Sequence, residues 1–233
     1  MKRKLPLLLI FLSLPFFARG SEPENTELKT KAEGGDTSAQ IMLGIMCLEG
    51  GDFDAAEFWY LKALQGGNKD AEEYLASFYD YPNNPKNDAE KAFKWRLVVA
   101  ERGDSNSQVL LGNMYEMGSG VRPNAREAAK WYLAAAQQGN SAGASSLGYL
   151  YARGEGVRED KVEAYVWARV SEELQKRSRE KLPEEIKERR APVSTTESAK
   201  LAKDLSPAKL RKAEADVEKL IADMPDDTQP TNG

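Results

Sequence analysis

Hydrophobic and polar positions recur along this chain with a period of 36 residues, fixed by Trp59, Trp95, Trp131 and Trp167. Three residues before each tryptophan stands an alanine (Ala56, Ala92, Ala128, Ala164). Seven before it stands a short polar residue (Asp52, Asp88, Asn124, Asp160). A fixed period between about 20 and 50 residues marks stacked supersecondary units that share one continuous core. Each unit reads as two helices. In the third, Gly103-Asp104 opens the unit and Leu111 to Tyr115 lies on the first helix. Gly118-Ser119-Gly120-Val121 then turns the chain, and Asn124 caps a second helix through Trp131-Tyr132 to Gly139. The fourth repeats this with Leu147 to Tyr151, Gly154 to Val157, Asp160 and Trp167.

Local chemistry accounts for these signals. Asp and Asn accept hydrogen bonds from the free N–H groups of a first helical turn. Glu127 and Glu163, three residues after their caps, complete a capping-box pattern. Glycine after a helix permits the left-handed residue that ends it. Gly112 and Gly148 lie inside helices, where glycine costs about 1 kcal/mol against alanine. That cost implies a neighbouring helix approaching closely, and Ala76 serves the same purpose in the second unit. The first unit is shorter between its helices and carries Cys47 where the others have Tyr79, Tyr115 and Tyr151. The second turns through Tyr81-Pro82-Asn83-Asn84-Pro85. Trp59, Trp95, Trp131 and Trp167 are expected in the core, at equivalent joints between units.

The run Gly-Asp-x-x-x-Gln-x-x-Leu-Gly-x-x-Tyr, then Gly-x-Gly-Val, a capping acid and Trp-Tyr-x-x-Ala-Ala-x-x-Gly resembles the Sel-one-like repeat, a relative of the tetratricopeptide repeat. The resemblance implies an all-α, right-handed α-solenoid that serves as an adaptor. It spans residues 34–173 as four repeats, 34–66, 67–102, 103–138 and 139–173. Residues 21–33 are expected to be a disordered linker and residues 225–233 a disordered tail. Between 174 and 224 a charged linker leads to capping helices. There Ser206-Pro207 starts a helix, and Leu210, Ala213, Val217, Leu220, Ile221 and Met224 form one apolar stripe. A solenoid needs such an amphipathic cover over its last unit.

Composition adds a destination. Lys2, Arg3 and Lys4 precede an apolar run from Leu5 to Phe17, too short to span a bilayer, and small residues Ala18 and Gly20 follow. This is the layout of a signal peptide over residues 1–20, cleaved before Ser21, which points to a bacterial periplasmic or secreted protein with no stable membrane insertion. An uncleaved anchor, tethering a regulatory subunit, is the alternative. Loss of residues 1–20 removes four basic residues and no acid, so the formal charge goes from −4 to −8. Such a chain is a poor non-specific ligand for nucleic acid.

The chain has no histidine and one cysteine. Imidazole triads, histidine metal sites, thiolate cages and dithiol redox motifs are therefore excluded, and no cofactor is implied. Cys47, between Met46 and Leu48, reads as an inert buried thiol. The Gly-x-Gly runs recur in phase, so they are inter-helix turns and not phosphate loops. The acid pairs Asp52/Asp54 and Glu72/Glu73 read as caps and solvated faces. Cysteine-rich members of the resembled family have been associated with β-lactam binding or hydrolysis. They carry a cysteine pair per repeat, so that alternative, a cell-wall ligand or hydrolytic role, meets a chain lacking the residues.

What remains is surface for a protein or extended peptide. If the first helices line a concave groove, the aligned positions there include Met42, Met46, Tyr74, Phe78, Leu110, Asn113, Met114 and Tyr149. Methionine adapts to a partner's shape, and tyrosine supplies an amphipathic contact. The competing reading places part of this column in the interhelical core.

Overall fold

The computed structural model describes residues 22–189 and 193–225, the side chains of 22–25, 188 and 189 excepted. The expected signal peptide and all but the first residue of the expected tail lie outside the described residues. Twelve helices follow one another among the described residues, with no strand between them. They fall into two compact units, divided between Asn68 and Lys69.

The first unit holds α1 (Glu22–Glu33), α2 (Thr37–Glu49) and α3 (Phe53–Gln65). Residues 22–33 are therefore helical, not the disordered linker expected from their polar composition. Leu28 and Ala32, four residues apart, make one apolar stripe. Ala32 is fully buried with Ala39 and Leu43 of α2, and Leu28 and Trp59 pack against them. Gln40 Nε2 donates to the Ala32 carbonyl at 2.9 Å inside this contact. Asp36 and Asp52 cap α2 and α3, accepting from the backbone N–H groups of Ala39 and Ala55, each at 3.0 Å.

The second unit begins with α4 (Ala71–Asp80) and α5 (Ala89–Glu101), then α6 (Ser105–Met117) and α7 (Ala125–Gln137), then α8 (Ser141–Arg153) and α9 (Lys161–Glu180). Consecutive helices pack pairwise from α4 to α9. Asp88, Asn124 and Asp160 cap the second helix of each pair, as their spacing predicts. The capping box does not form. The backbone N–H of each cap residue already donates to the carbonyl of the tyrosine that ends the partner helix: Asp88 to Tyr79 at 2.9 Å, Asn124 to Tyr115 at 2.8 Å and Asp160 to Tyr151 at 3.0 Å. In the first unit Asp52 donates to the Cys47 carbonyl at 2.8 Å. The hydrogen bond survives both the loss of tyrosine and the shorter loop because it is made by backbone. The two glutamates look elsewhere, Glu127 to Lys130 Nζ at 2.7 Å and Glu163 to the Trp167 indole.

The Gly-x-Gly turns do two jobs. Gly118 and Gly154 are left-handed helix ends (φ +75° and +68°). Gly120 and Gly156 (both φ +71°) sit against the start of the second helix of the preceding repeat, where an added Cβ would come within 1.9 Å of the Ala89 carbonyl oxygen and 2.2 Å of that of Ala125. The turn is thus part of the stacking contact between repeats.

The tryptophans are not buried alike. Trp167 is buried, whereas Trp59, Trp95 and Trp131 are only half-buried. The residue after the tryptophan takes the central place in the first three repeats: Tyr60, Arg96 and Tyr132, between 0 and 5% exposed. Successive residues on a helix point about 100° apart, so only one of the pair can face the partner helix squarely. A Cβ on Gly44 or Gly112 would lie 2.4 Å from the ring of Tyr60 or Tyr132. The helical glycine is the notch for the next helix's tyrosine ring. In the fourth repeat Ala168 follows the tryptophan, and the helices close backbone to backbone, with a Gly148 Cβ 3.2 Å from the Ala164 carbonyl.

The end of the stack is covered from the same chain. Helix α9 continues past the last repeat to Glu180, and α10 (Glu184–Arg189), α11 (Thr196–Ala202) and α12 (Pro207–Asp223) follow. Both α11 and α12 pack on α9. Ala213, Val217, Ile221 and Met224 of the predicted stripe are buried with Val166, Val170 and Leu174. No described helix is long and apolar enough to cross a membrane.

Gly112→Ala forces a Cβ into the buried Tyr132 ring, an overpacking cost of roughly 1–3 kcal/mol that outweighs alanine's helix propensity advantage of about 1 kcal/mol. Gly120→Ala meets backbone at positive φ and costs more, roughly 3 kcal/mol. Urea unfolding monitored by circular dichroism checks the order wild type, Gly112→Ala, Gly120→Ala. Equal midpoints for all three contradict the packing described. Burial, then the nearby Asp52 carboxylate, pushes the Cys47 thiol up to about 11. At pH 8 the folded chain is therefore expected to resist iodoacetamide, with full labelling by mass spectrometry only after unfolding in guanidinium.

Candidate functional site

Burial divides the residues expected to bind a partner. On α2, Met42 and Met46 are 54% and 39% exposed. In the second compact unit, Leu110 on α6 and Tyr149 on α8 are 41% and 50% exposed, and Tyr74 on α4 is half-buried. Phe78 and Met114 belong to the core instead, at 0 and 6% exposure. Aligned with buried Leu150, they point toward the second helix of their own pair, and neither presents surface to a partner. The competing core reading holds for these two.

Asn113 stands between the groups. It is half-buried, and the Tyr132 hydroxyl lies 2.6 Å from its Oδ1 and 2.8 Å from Glu116 Oε2. Burial, reinforced by the Glu116 carboxylate, raises the Tyr132 hydroxyl well above the ordinary tyrosine range, so it remains a donor. Asn113 therefore serves to satisfy the polar end of a core ring.

Arg96 has the opposite chemistry to the tyrosines whose place it takes. Its guanidinium reaches Ser107 Oγ and Ser77 Oγ, both at 3.3 Å. Burial lowers its pKa, opposed by the carboxylates of Glu73, Asp80 and Asp104. The small Ala76 and two hydroxyls replace the glycine notch. A buried cation held this way is structural.

Among the described residues no cluster of three or more histidine, cysteine, aspartate or glutamate side chains is placed to hold a metal ion. Ser206 and Lys209 have the spacing of lysine-assisted serine catalysis. Here, however, Ser206 Oγ caps α12, accepting the Lys209 backbone N–H at 3.4 Å, and both residues are exposed.

Sequence reasoning missed a cleft of about 330 Å³ formed by α8, α9 and α11. Tyr149 and Ser145 come from α8, Ala168 and Glu172 from α9, and Glu197 and Leu201 from α11. Glu172 is 6% exposed. Its Oε2 accepts from Arg169 Nη1 at 2.8 Å, while its Oε1 is buried without a hydrogen-bond partner. The same guanidinium lies 3.4 Å from Glu214 Oε1, which also takes the hydroxyl of Tyr165. Burial, with Glu214 as acceptor, lifts that hydroxyl to about 12. The only sequence trace of this arrangement is the Arg169/Glu172 spacing on one helix face. That α11 folds back over α9 has no local signal.

The model of the Sel1 repeat matches residues 37–68, 69–96, 105–140 and 141–173, more than half of the chain. Similar solved structures include two Sel1-type repeat proteins. One is a protective antigen present in uropathogenic Escherichia coli strains, displaying an SLR fold, 25% identical with a TM-score of 0.52 over 89% of this chain and 52% of that one. The other is a Sel1 repeat protein from Oxalobacter formigenes, 30% identical with a TM-score of 0.51 over 59% of this chain and 57% of that one. The chain thus spans little more than half the length of these relatives. No curated protein matches it. Four matched repeats and an uninterrupted series of helical pairs give one conclusion: the chain belongs to the Sel1 repeat family.

Proposed function

We propose that this chain is an exported, non-catalytic scaffold that holds an extended segment of a partner protein along the first helices of its repeats. Sel1 repeats generally mediate protein–protein interaction. The observation that carries the reading to particular residues is the exposure of Leu110 and Tyr149, large side chains on neighbouring first helices of one compact unit, where the fold has no need of them outside the core. Aromatic and aliphatic anchors on a rigid backbone give affinity at low entropic cost. Export is supported by the charged and apolar layout of residues 1–20.

Two measurements test the proposal. Tagged chain bearing Leu110→Glu is expected to capture at least about tenfold less of a crosslinked periplasmic partner than wild type, as for loss of an interface anchor. Its helicity and melting temperature should not change, because Leu110 is 41% exposed and lies outside the buried core. Equal capture by both proteins sinks the assignment of this face. N-terminal sequencing of the exported protein is expected to begin at Ser21; a chain still starting at Met1 establishes the tethered alternative.

A further inference from the structure

The cleft between α8, α9 and α11 contains a feature that the fold itself leaves incomplete. A buried carboxylate oxygen without a partner forfeits hydrogen bonding that water would have given. Glu172 Oε1 is in that position, and Glu172 lines a cleft of about 330 Å³. That volume lies at the lower end of the range for ligand pockets, about 300–1,000 Å³.

Charge and shape around it select a ligand class. Arg169 is shared between two carboxylates, Glu172 at 2.8 Å and Glu214 at 3.4 Å, so one negative charge is left over. Glu197, at the mouth, is roughly balanced by Lys200 at 3.5 Å. Ser171, the other buried polar residue there, has its hydroxyl committed: it donates to the Ser141 carbonyl and accepts from Gln175 Nε2. The open demand is therefore for one donor, preferably positive. The lining also includes Ala152, Ala168 and Leu201, apolar surface that suits a methylene stem. With no cluster of three or more acids among the described residues, the site does not fit a metal ion.

We propose that this cleft receives the side chain of a lysine from the bound partner, its ammonium donating to Glu172 Oε1 and its stem lying along the alanine and leucine wall. The inference rests on the interaction reading above and gives it one specific contact. Lysine fits better than the alternatives. An N-terminal ammonium carries its own polar backbone next to the charge and has no stem with which to reach a buried oxygen. A guanidinium is planar and broad, and Arg169 Nη1 already takes the other oxygen of this carboxylate at 2.8 Å, which crowds a second planar cation. A partner lysine in the cleft would sit next to Tyr149, so the site continues the exposed face of α8.

The test uses the full chain, labelled with nitrogen-15, and Nα-acetyl-lysine N-methylamide as probe. Saturable amide shifts are expected at Tyr149, Ala152, Ala168 and Gln175, with an affinity on the order of millimolar for one side chain. Glu172→Gln, which keeps the shape and removes the charge, should weaken binding at least about tenfold, the scale of a charge-assisted hydrogen bond. Ser145→Phe, at an exposed position of the cleft wall and away from Glu172, should weaken it with the amide spectrum elsewhere unchanged. The Nε-acetylated probe should not bind. Comparable binding of glycinamide assigns the cleft to an N-terminal ammonium, comparable binding of the arginine probe assigns it to a guanidinium, and either outcome overturns the proposal. So does an unresponsive spectrum, which leaves Oε1 to a water molecule, or undiminished binding to Glu172→Gln. The scaffold reading is judged separately, since loss of partner capture by Leu110→Glu does not depend on this cleft.

Discussion

Close approach of paired helices is the constraint from which the other features of these repeats follow. Two helices carrying ordinary side chains stand 8–10 Å apart. Seating a tyrosine ring squarely between them requires that the facing position have no Cβ. Gly44 and Gly112 meet that requirement for Tyr60 and Tyr132. The alanines three residues before each tryptophan, all 0 to 1% exposed, keep the rest of the joint narrow. Once the pair is drawn together, its turn is short. The cap residue's N–H then falls on the carbonyl at the end of the first helix, and the second glycine of the turn reaches the preceding repeat. The exceptions obey the same geometry. Where the glycine becomes Ala76, the tyrosine becomes Arg96, whose guanidinium reaches past the joint to hydroxyls on either side. Where the tyrosine becomes Ala168, the backbones themselves close in.

This explains which parts were legible in the sequence. Caps, glycine turns and repeat period depend on backbone conformation at single residues, and those positions hold what the spacing promised. The wrong expectations concern direction. Periodicity marks Trp-Tyr as a pair facing the core but does not say which of two adjacent side chains is central, and the larger was chosen. The first-helix column failed in the same way: Met42, Leu110 and Tyr149 face out, while Phe78 and Met114, one turn along, face in. Helix α1 was hidden by composition, because Leu28 and Ala32 are few among charged residues. Burial of that small stripe against α2, with Gln40 tied to the Ala32 carbonyl, was not visible locally.

The fourth repeat shows how an end is made. Its second helix is 20 residues long, where the helices of the preceding pair are 13. The added length serves as a platform for α12, whose Ala213, Val217 and Ile221 cover what another repeat would have covered. Helix α11 occupies part of the place of a next first helix, but at 7 residues it is too short to fill it. The cleft beside Glu172 is what remains. A cap made of one long and one short helix closes the core completely and the exposed face incompletely. A recess at the last repeat is thus a consequence of how the stack is ended.

Adjacency along a helix also separates stability from recognition in this architecture. Leu110 neighbours Leu111, and Tyr149 neighbours Gly148 and Leu150, so each outward residue is flanked by inward ones about 100° away. The inward set is held by ring, notch and cap, and tolerates little change. The outward set lies outside the buried core, so its identity is freer to follow a partner. Tyr132 crosses this boundary by design of its polarity: its ring belongs to the core, and its hydroxyl emerges between Asn113 and Glu116. Substitution at Asn113 therefore disturbs the core through that hydroxyl, whereas substitution at Leu110, three residues earlier on the same helix, does not.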